Sequence, residues 1–118
     1  MFLNDLFSIT NQTVKEGFIL AEIRLNADHQ IYEGHFPGSP VTPGVVQLQI
    51  VKELLENHLG RKLIMKSMRT CKFLMVINPL ETPDMQISIK FDEGESIEVT
   101  TSGSYNGTFY FKAQVVYA

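Results

Sequence analysis

Residues 34–49, GHFPGSPVTPGVVQLQ, hold the side chains of this sequence best suited to chemistry. His35 carries an imidazole that titrates near neutrality, so it can take a proton under physiological conditions. Gly44 falls in the first turn of a predicted helix. There the backbone N–H groups lack intrahelical partners and the helix dipole favours negative charge. With no side chain, Gly44 lets an oxygen approach that N–H closely. A base and such a donor together suit removal of a weakly acidic proton while charge develops on a nearby oxygen. Gln49, further along the helix, can hydrogen-bond but has no proton to release. Glu33 and Glu53 are the nearest carboxylates. His29 reads as a solvated loop residue, and His58 as a partner of the helix dipole. No His, Cys and acid spacing suggests a metal, and no cofactor is expected.

The elements that must hold these groups follow from patterning. Residues 27–43 include Gly34, Gly38, Pro37, Pro40 and Pro43, a density that predicts a long ordered loop. A helix is expected from about residue 44 to 58, with Thr42 as N-cap, Pro43 at the first helical position and Gly60 as stop. Leu48, Val51, Leu55 and Leu59 form an apolar stripe that Ile50 and Leu54 widen. No charge precedes Lys52, so burial on several sides is expected. Residues 14–26 read as one strand and residues 1–10 as a short helix or loose end. After the helix, 63–77, 85–92, 96–105 and 109–117 read as four strands in a meander, with Asn106-Gly107 as a hairpin turn. Met65, Met68, Met75 and Met85 read mainly as core packing.

Composition narrows the class. At 118 residues the chain has the size of one domain, expected to span 1–118, and its limited core makes an oligomer plausible. The net charge of −3 argues against general nucleic-acid binding. No apolar run approaches the ~20 residues that span a bilayer. A start without basic residues and the lone Cys71 lead us to expect the cytoplasm. Five of the ten basic residues, Arg61, Lys62, Lys66, Arg69 and Lys72, cluster in one acid-free segment, a candidate dock for an anionic partner.

The string resembles the His-Phe-Pro-Gly-x-Pro-Val-x-Pro-Gly-Val run of bacterial β-hydroxyacyl-acyl-carrier-protein dehydratases. It matches at His35, Phe36, Pro37, Gly38, Pro40, Val41, Pro43, Gly44 and Val45. CKFLMVINPLETPD adds Lys72, Phe73, Pro79 and Asp84, and the resemblance extends over nearly the whole chain from residue 14 onward. It implies an α+β hot-dog fold, an antiparallel sheet wrapped around one long central helix.

It also implies roles. His35 takes the α-proton of an acyl thioester, Gly44 N–H polarises the thioester carbonyl, and the Val41 carbonyl orients the His35 ring. Phe36 and Phe73 contact the substrate. The family places a Glu or Asp fourteen residues after the histidine to release hydroxide, and here Gln49 occupies that place. The implied protein acts on or binds thioesters of acyl carrier protein or coenzyme A, in fatty-acid or polyketide-type synthesis. Two rivals are a non-catalytic hot-dog subunit that pairs with an active paralogue and an acyl thioesterase. The implied partners are an acidic acyl carrier protein, docking on the basic run, and a second copy or a paralogous subunit. Neither nucleic acid nor membrane is expected.

Overall fold

The computed structural model describes residues 1–34 and 39–118. The chain runs β1 (Phe7–Lys15), β2 (Phe18–Leu25), a single 3-10 turn (Gln30–Tyr32), α1 (Gly44–Leu59), β3 (Met65–Phe73), β4 (Asp84–Glu93), β5 (Ile97–Tyr105) and β6 (Thr108–Tyr117). All strand pairs are antiparallel, in the order β1-β2-β4-β5-β6-β3. One face of this sheet and α1 build the core. Ile19, Ala21, Ile23 and Leu25 of β2 alternate inward with Met85, Ile87, Ile89 and Phe91 of β4. Ile97 and Val99 of β5 and Phe111, Ala113, Val115 and Tyr117 of β6 continue the layer. From the helix, Val46, Leu48, Ile50, Val51, Leu54 and Leu55 are buried among them. This is the wrapped-helix arrangement that the uncharged first half of α1 called for.

Several elements differ from the sequence reading. Segment 14–26 is not one strand: Glu16 and Gly17 turn the chain between β1 and β2. Gly17 has φ of 69°, and a Cβ there would lie 3.0 Å from the Phe91 carbonyl oxygen, so glycine is required. β1 was missed because its side chains are mostly polar and exposed, and a bulge between Ile9 and Asn11 breaks the alternation. The strands after α1 are not a simple meander either, since β3 pairs with β6 rather than β4. Residues 74–83 carry the chain across, and a bulge in β6 anchors them: the Tyr110 carbonyl accepts the N–H groups of Leu74 (2.8 Å) and Met75 (3.3 Å). That bulge turns Phe109 outward and Tyr110 inward, against the expected alternation. Asn106 and Gly107 form the expected hairpin turn, both with positive φ.

α1 ends at Gly60 as expected, but its start is different. Pro43 is the N-cap, and no side chain caps the first turn. Thr42 is buried and turned the other way, its hydroxyl 2.9 Å from the Tyr32 hydroxyl. Thr42 N–H donates to the Ile77 carbonyl (2.9 Å), and its own carbonyl accepts from Gln47 Nε2 (2.9 Å). This residue therefore ties the 3-10 turn, the β3–β4 connection and the helix start together.

Thr42→Val keeps the shape but leaves the buried Tyr32 hydroxyl without its partner. We expect a loss of about 1–3 kcal/mol in urea unfolding, partly recovered when Tyr32→Phe removes the orphaned group as well.

Candidate functional site

The structure brings two of the site residues named from sequence into direct contact. A methyl group on Gly44 would come within 2.5 Å of Phe73 Cζ, so the aromatic ring lies directly over the glycine at the start of α1. Phe73 ends β3 and is half exposed. The first-turn N–H groups of Gly44 and Val45 donate to no group among the described residues. The hydrogen bonds to the Pro43 carbonyl come from Val46 (3.0 Å) and Gln47 (3.1 Å). Among the described residues the helix thus leaves these donors and its positive end open beside an aromatic wall, a place suited to a polarised carbonyl oxygen. Val41, three residues before Gly44, is half-buried between the buried Pro40 and Thr42. His35 and Phe36 lie outside the described residues.

Gln49 is held by a group that sequence reasoning set aside. Its Nε2 donates to Glu53 Oε2 at 2.9 Å. A carboxylate only accepts, so the amide nitrogen must face Glu53 and the amide oxygen must face away. Glu53, a nearby carboxylate on the same helix, is only 6% exposed. Its other oxygen accepts the backbone N–H groups of Phe2 (2.7 Å) and Leu3 (2.9 Å). Burial alone pushes this carboxyl up, but hydrogen bonds from Gln49, Leu3 and Phe2 outweigh it and hold the group below its ordinary value. The signal in the sequence was positional, since Glu53 stands one turn after Gln49 on the same face. What made it buried is the N-terminal segment, whose fold no local pattern announced.

Other expectations change. His29 is not solvated: it is bonded to Asp5 (2.9 Å), accepts the Ile31 N–H (3.0 Å) and packs edge-on against Phe2. His58 lies in the last turn of α1, as expected, with its ring edge on Phe91. Met85 is a core residue, whereas Met65, Met68 and Met75 are exposed. In the basic run, Arg69 is ion-paired with Glu98 at 2.6 Å, which leaves four of its cations without a carboxylate among the described residues.

A six-stranded antiparallel sheet around one central helix defines a hot-dog protein. The sequence profile of the ApeI-like family, described as ApeI dehydratase, matches residues 11–108, and the chain belongs to that family. Among curated relatives, the 3-hydroxyacyl-acyl-carrier-protein dehydratase FabZ of Clostridium acetobutylicum is 25% identical over 97 residues. The match covers 76% of this chain and 69% of the relative. The FabZ of Latilactobacillus sakei is 26% identical over 80 residues, which cover 62% of this chain and 57% of that protein. Among solved structures, the dehydratase heterocomplex ApeI:P from Xenorhabdus doucetiae superimposes with a TM-score of 0.80 at 18% identity, covering 93% of this chain and 96% of that one. A putative thioesterase from Shewanella oneidensis shares the fold at a TM-score of 0.57 and 6% identity, covering 96% and 82%.

The ionised Glu53 stabilises the fold, and the sign of its pH dependence follows from its lowered pKa. The contribution is present above the unfolded-state value, about 4.3, and is lost as pH falls through the lower folded value. Glu53→Gln should cost about 1–3 kcal/mol at pH 7. In urea unfolding curves between pH 7 and pH 3, the gap between the two proteins should narrow below about pH 4.

Proposed function

We propose that this protein binds acyl thioesters, carried by acyl carrier protein or coenzyme A, in the corner between Gly44 and Phe73. We propose further that it dehydrates β-hydroxyacyl groups slowly or not at all when alone. The observation that carries this reading is the Gln49–Glu53 contact. Where the family resemblance places the acid, this chain holds an amide with no proton to release, and one of its N–H groups already donates to a buried carboxylate. The rest of the chemistry remains available: His35 as base, the Val41 carbonyl as its orienting partner, the Gly44 N–H at the thioester oxygen, and Phe36 and Phe73 against the substrate.

A second subunit completes this reading. β3 is one edge of the sheet and pairs among the described residues only with β6, and every residue of it is at least partly exposed. Its helix-side residues include Met68, 45% exposed, and Phe73, 50% exposed; Leu74, Met75 and Val76 follow them. Val45, beside the free helix donors, is 77% exposed. An edge strand with unpaired backbone groups and exposed apolar side chains on its inner face invites another strand. We propose that a second hot-dog chain, a copy or a paralogue, covers it and walls the acyl site. With a paralogue that supplies an acid, this chain is the partner subunit of a dehydratase. Within the basic run, Arg61, Lys62 and Lys66 are proposed to meet an acidic carrier. We take residues 1–118 as one domain acting in the cytoplasm, in keeping with the free thiol of Cys71.

Two measurements test this. Assayed alone on a β-hydroxybutyryl thioester, the protein should bind ligand but dehydrate slowly. Gln49→Glu would put a second carboxyl at the present 2.9 Å from Glu53, where two charges cannot both persist and one proton is retained near neutrality. A positioned acid is worth about 10²–10⁴ in rate, so dehydration should rise by at least about 10², and His35→Ala should abolish it. Brisk dehydration by the unaltered protein, indifferent to residue 49, would overturn the reading.

For the interface, light scattering at micromolar concentration should give the mass of a dimer, or of a heterodimer once a paralogue is added. Met68→Asp with Val76→Asp should release monomers. A monomer under every condition would count against the covered edge.

A further inference from the structure

The outer face of the sheet carries a groove of about 530 Å³ on the side away from α1. Its lining includes Lys72 of β3, Lys90 of β4 and Lys112 of β6, with Thr100 and Ser102 of β5 between them and Phe109 at one side. Strand register assembles this set from distant parts of the sequence. Lys72 stands directly opposite Lys112, Lys112 opposite Ser102, and Lys90 opposite Thr100. Only Lys72 belongs to the basic run visible in the sequence.

Like charges directly opposite on a sheet are destabilising, and here that arrangement is uncompensated. Among the described residues, no carboxylate forms an ion pair with Lys72, Lys90 or Lys112. The acids nearest along the strands, Asp92 and Glu98, line the adjoining groove, which Lys90 also borders, and Glu98 is taken by Arg69. The Lys112 ammonium rests over the Phe109 ring, 4.3 Å from its centroid, which holds one cation in place at the groove wall.

We propose that this groove binds a diphosphate group. Three lysines and two hydroxyl side chains line one space, all able to donate to an anion, and the short Thr and Ser side chains of β5 leave depth between the long lysines. A diphosphate has several charges and enough acceptor oxygens to engage donors on three strands at once, which one carboxylate does not. The half-exposed Phe109 ring gives an organic substituent of a diphosphate ester a surface to lie on. The inference is independent of the thioester site, since the groove lies on the opposite face of the sheet.

Thermal and urea unfolding of the whole protein, with pyrophosphate, ADP or potassium chloride at matched ionic strength, tests it. Ligand at about 100 times its Kd should shift the folding equilibrium about 100-fold toward the native state. Lys72→Gln and Lys112→Gln should each weaken binding about tenfold, as expected for a lost charge-assisted hydrogen bond. Without ligand, each should be at least as stable as the parent, because the opposed charges are relieved; Lys15→Gln should change neither property. Equal effects of pyrophosphate and ADP support a groove that reads the diphosphate alone. A tighter ADP effect that Phe109→Leu removes supports an ester. Stabilisation no greater than that of chloride, or one that survives both lysine substitutions, overturns the proposal. So does stabilisation by polyglutamate at lower charge concentration than by diphosphate, which would make the face a dock for an acidic protein.

Discussion

An uncapped helix start is the constraint on which this molecule depends. Most helices satisfy their first N–H groups with a side chain, and Thr42 stands where such a cap was expected. Here the threonine spends its hydroxyl on Tyr32, its N–H on Ile77 and its carbonyl on Gln47. The helix is therefore held in place from outside its own axis, and the donors of Gly44 and Val45 have no partner among the described residues. The buried body of α1 makes that arrangement affordable. With Val51, Leu54 and Leu55 inaccessible to solvent, the helix needs no cap to stay folded.

The same helix carries the second polar decision of the fold. Glu53 lies in the core side of α1, and a lone buried carboxylate is costly. It is satisfied on one oxygen by the backbone of the N-terminal segment and on the other by Gln49. Structure and chemistry are thus coupled. The amide that stands at the expected acid position is also a hydrogen-bond partner that the buried carboxylate needs. On the proposed reading, a glutamate at 49 would supply the missing acid while weakening that support, a conflict between stability and activity.

The sheet divides its two faces differently along its width. Around β2, β4 and β5 the inner face is covered by α1, and the outer face of β4 and β5 is polar. At β3 the helix reaches only as far as the contact of its first turn with Phe73, so apolar inner residues such as Met68 remain open. Closing that edge with a second chain would extend the core laterally. It would leave the outer groove of Lys72, Lys90 and Lys112 on the solvent side.

Much of this was legible in the sequence, because local rules fixed it. Alternation in β2 and β4, the Asn106-Gly107 turn and the uncharged start of α1 each have a period or a turn chemistry that neighbouring residues alone impose. The proline-rich string and its resemblance singled out Gly44 and Phe73, and tertiary structure put one upon the other. What the sequence did not reveal depends on partners far along the chain. β1 is a strand because β2 pairs with it, not because of its own pattern. β3 crosses to β6 because the Tyr110 bulge anchors the connection. Glu53 is buried because residues 2 and 3 fold over it, and Thr42 is no cap because Tyr32 claims its hydroxyl. Hydrogen bonds between residues distant in sequence leave no periodic trace, so only the assembled fold decides where Gln49 turns its amide and which lysines face one another.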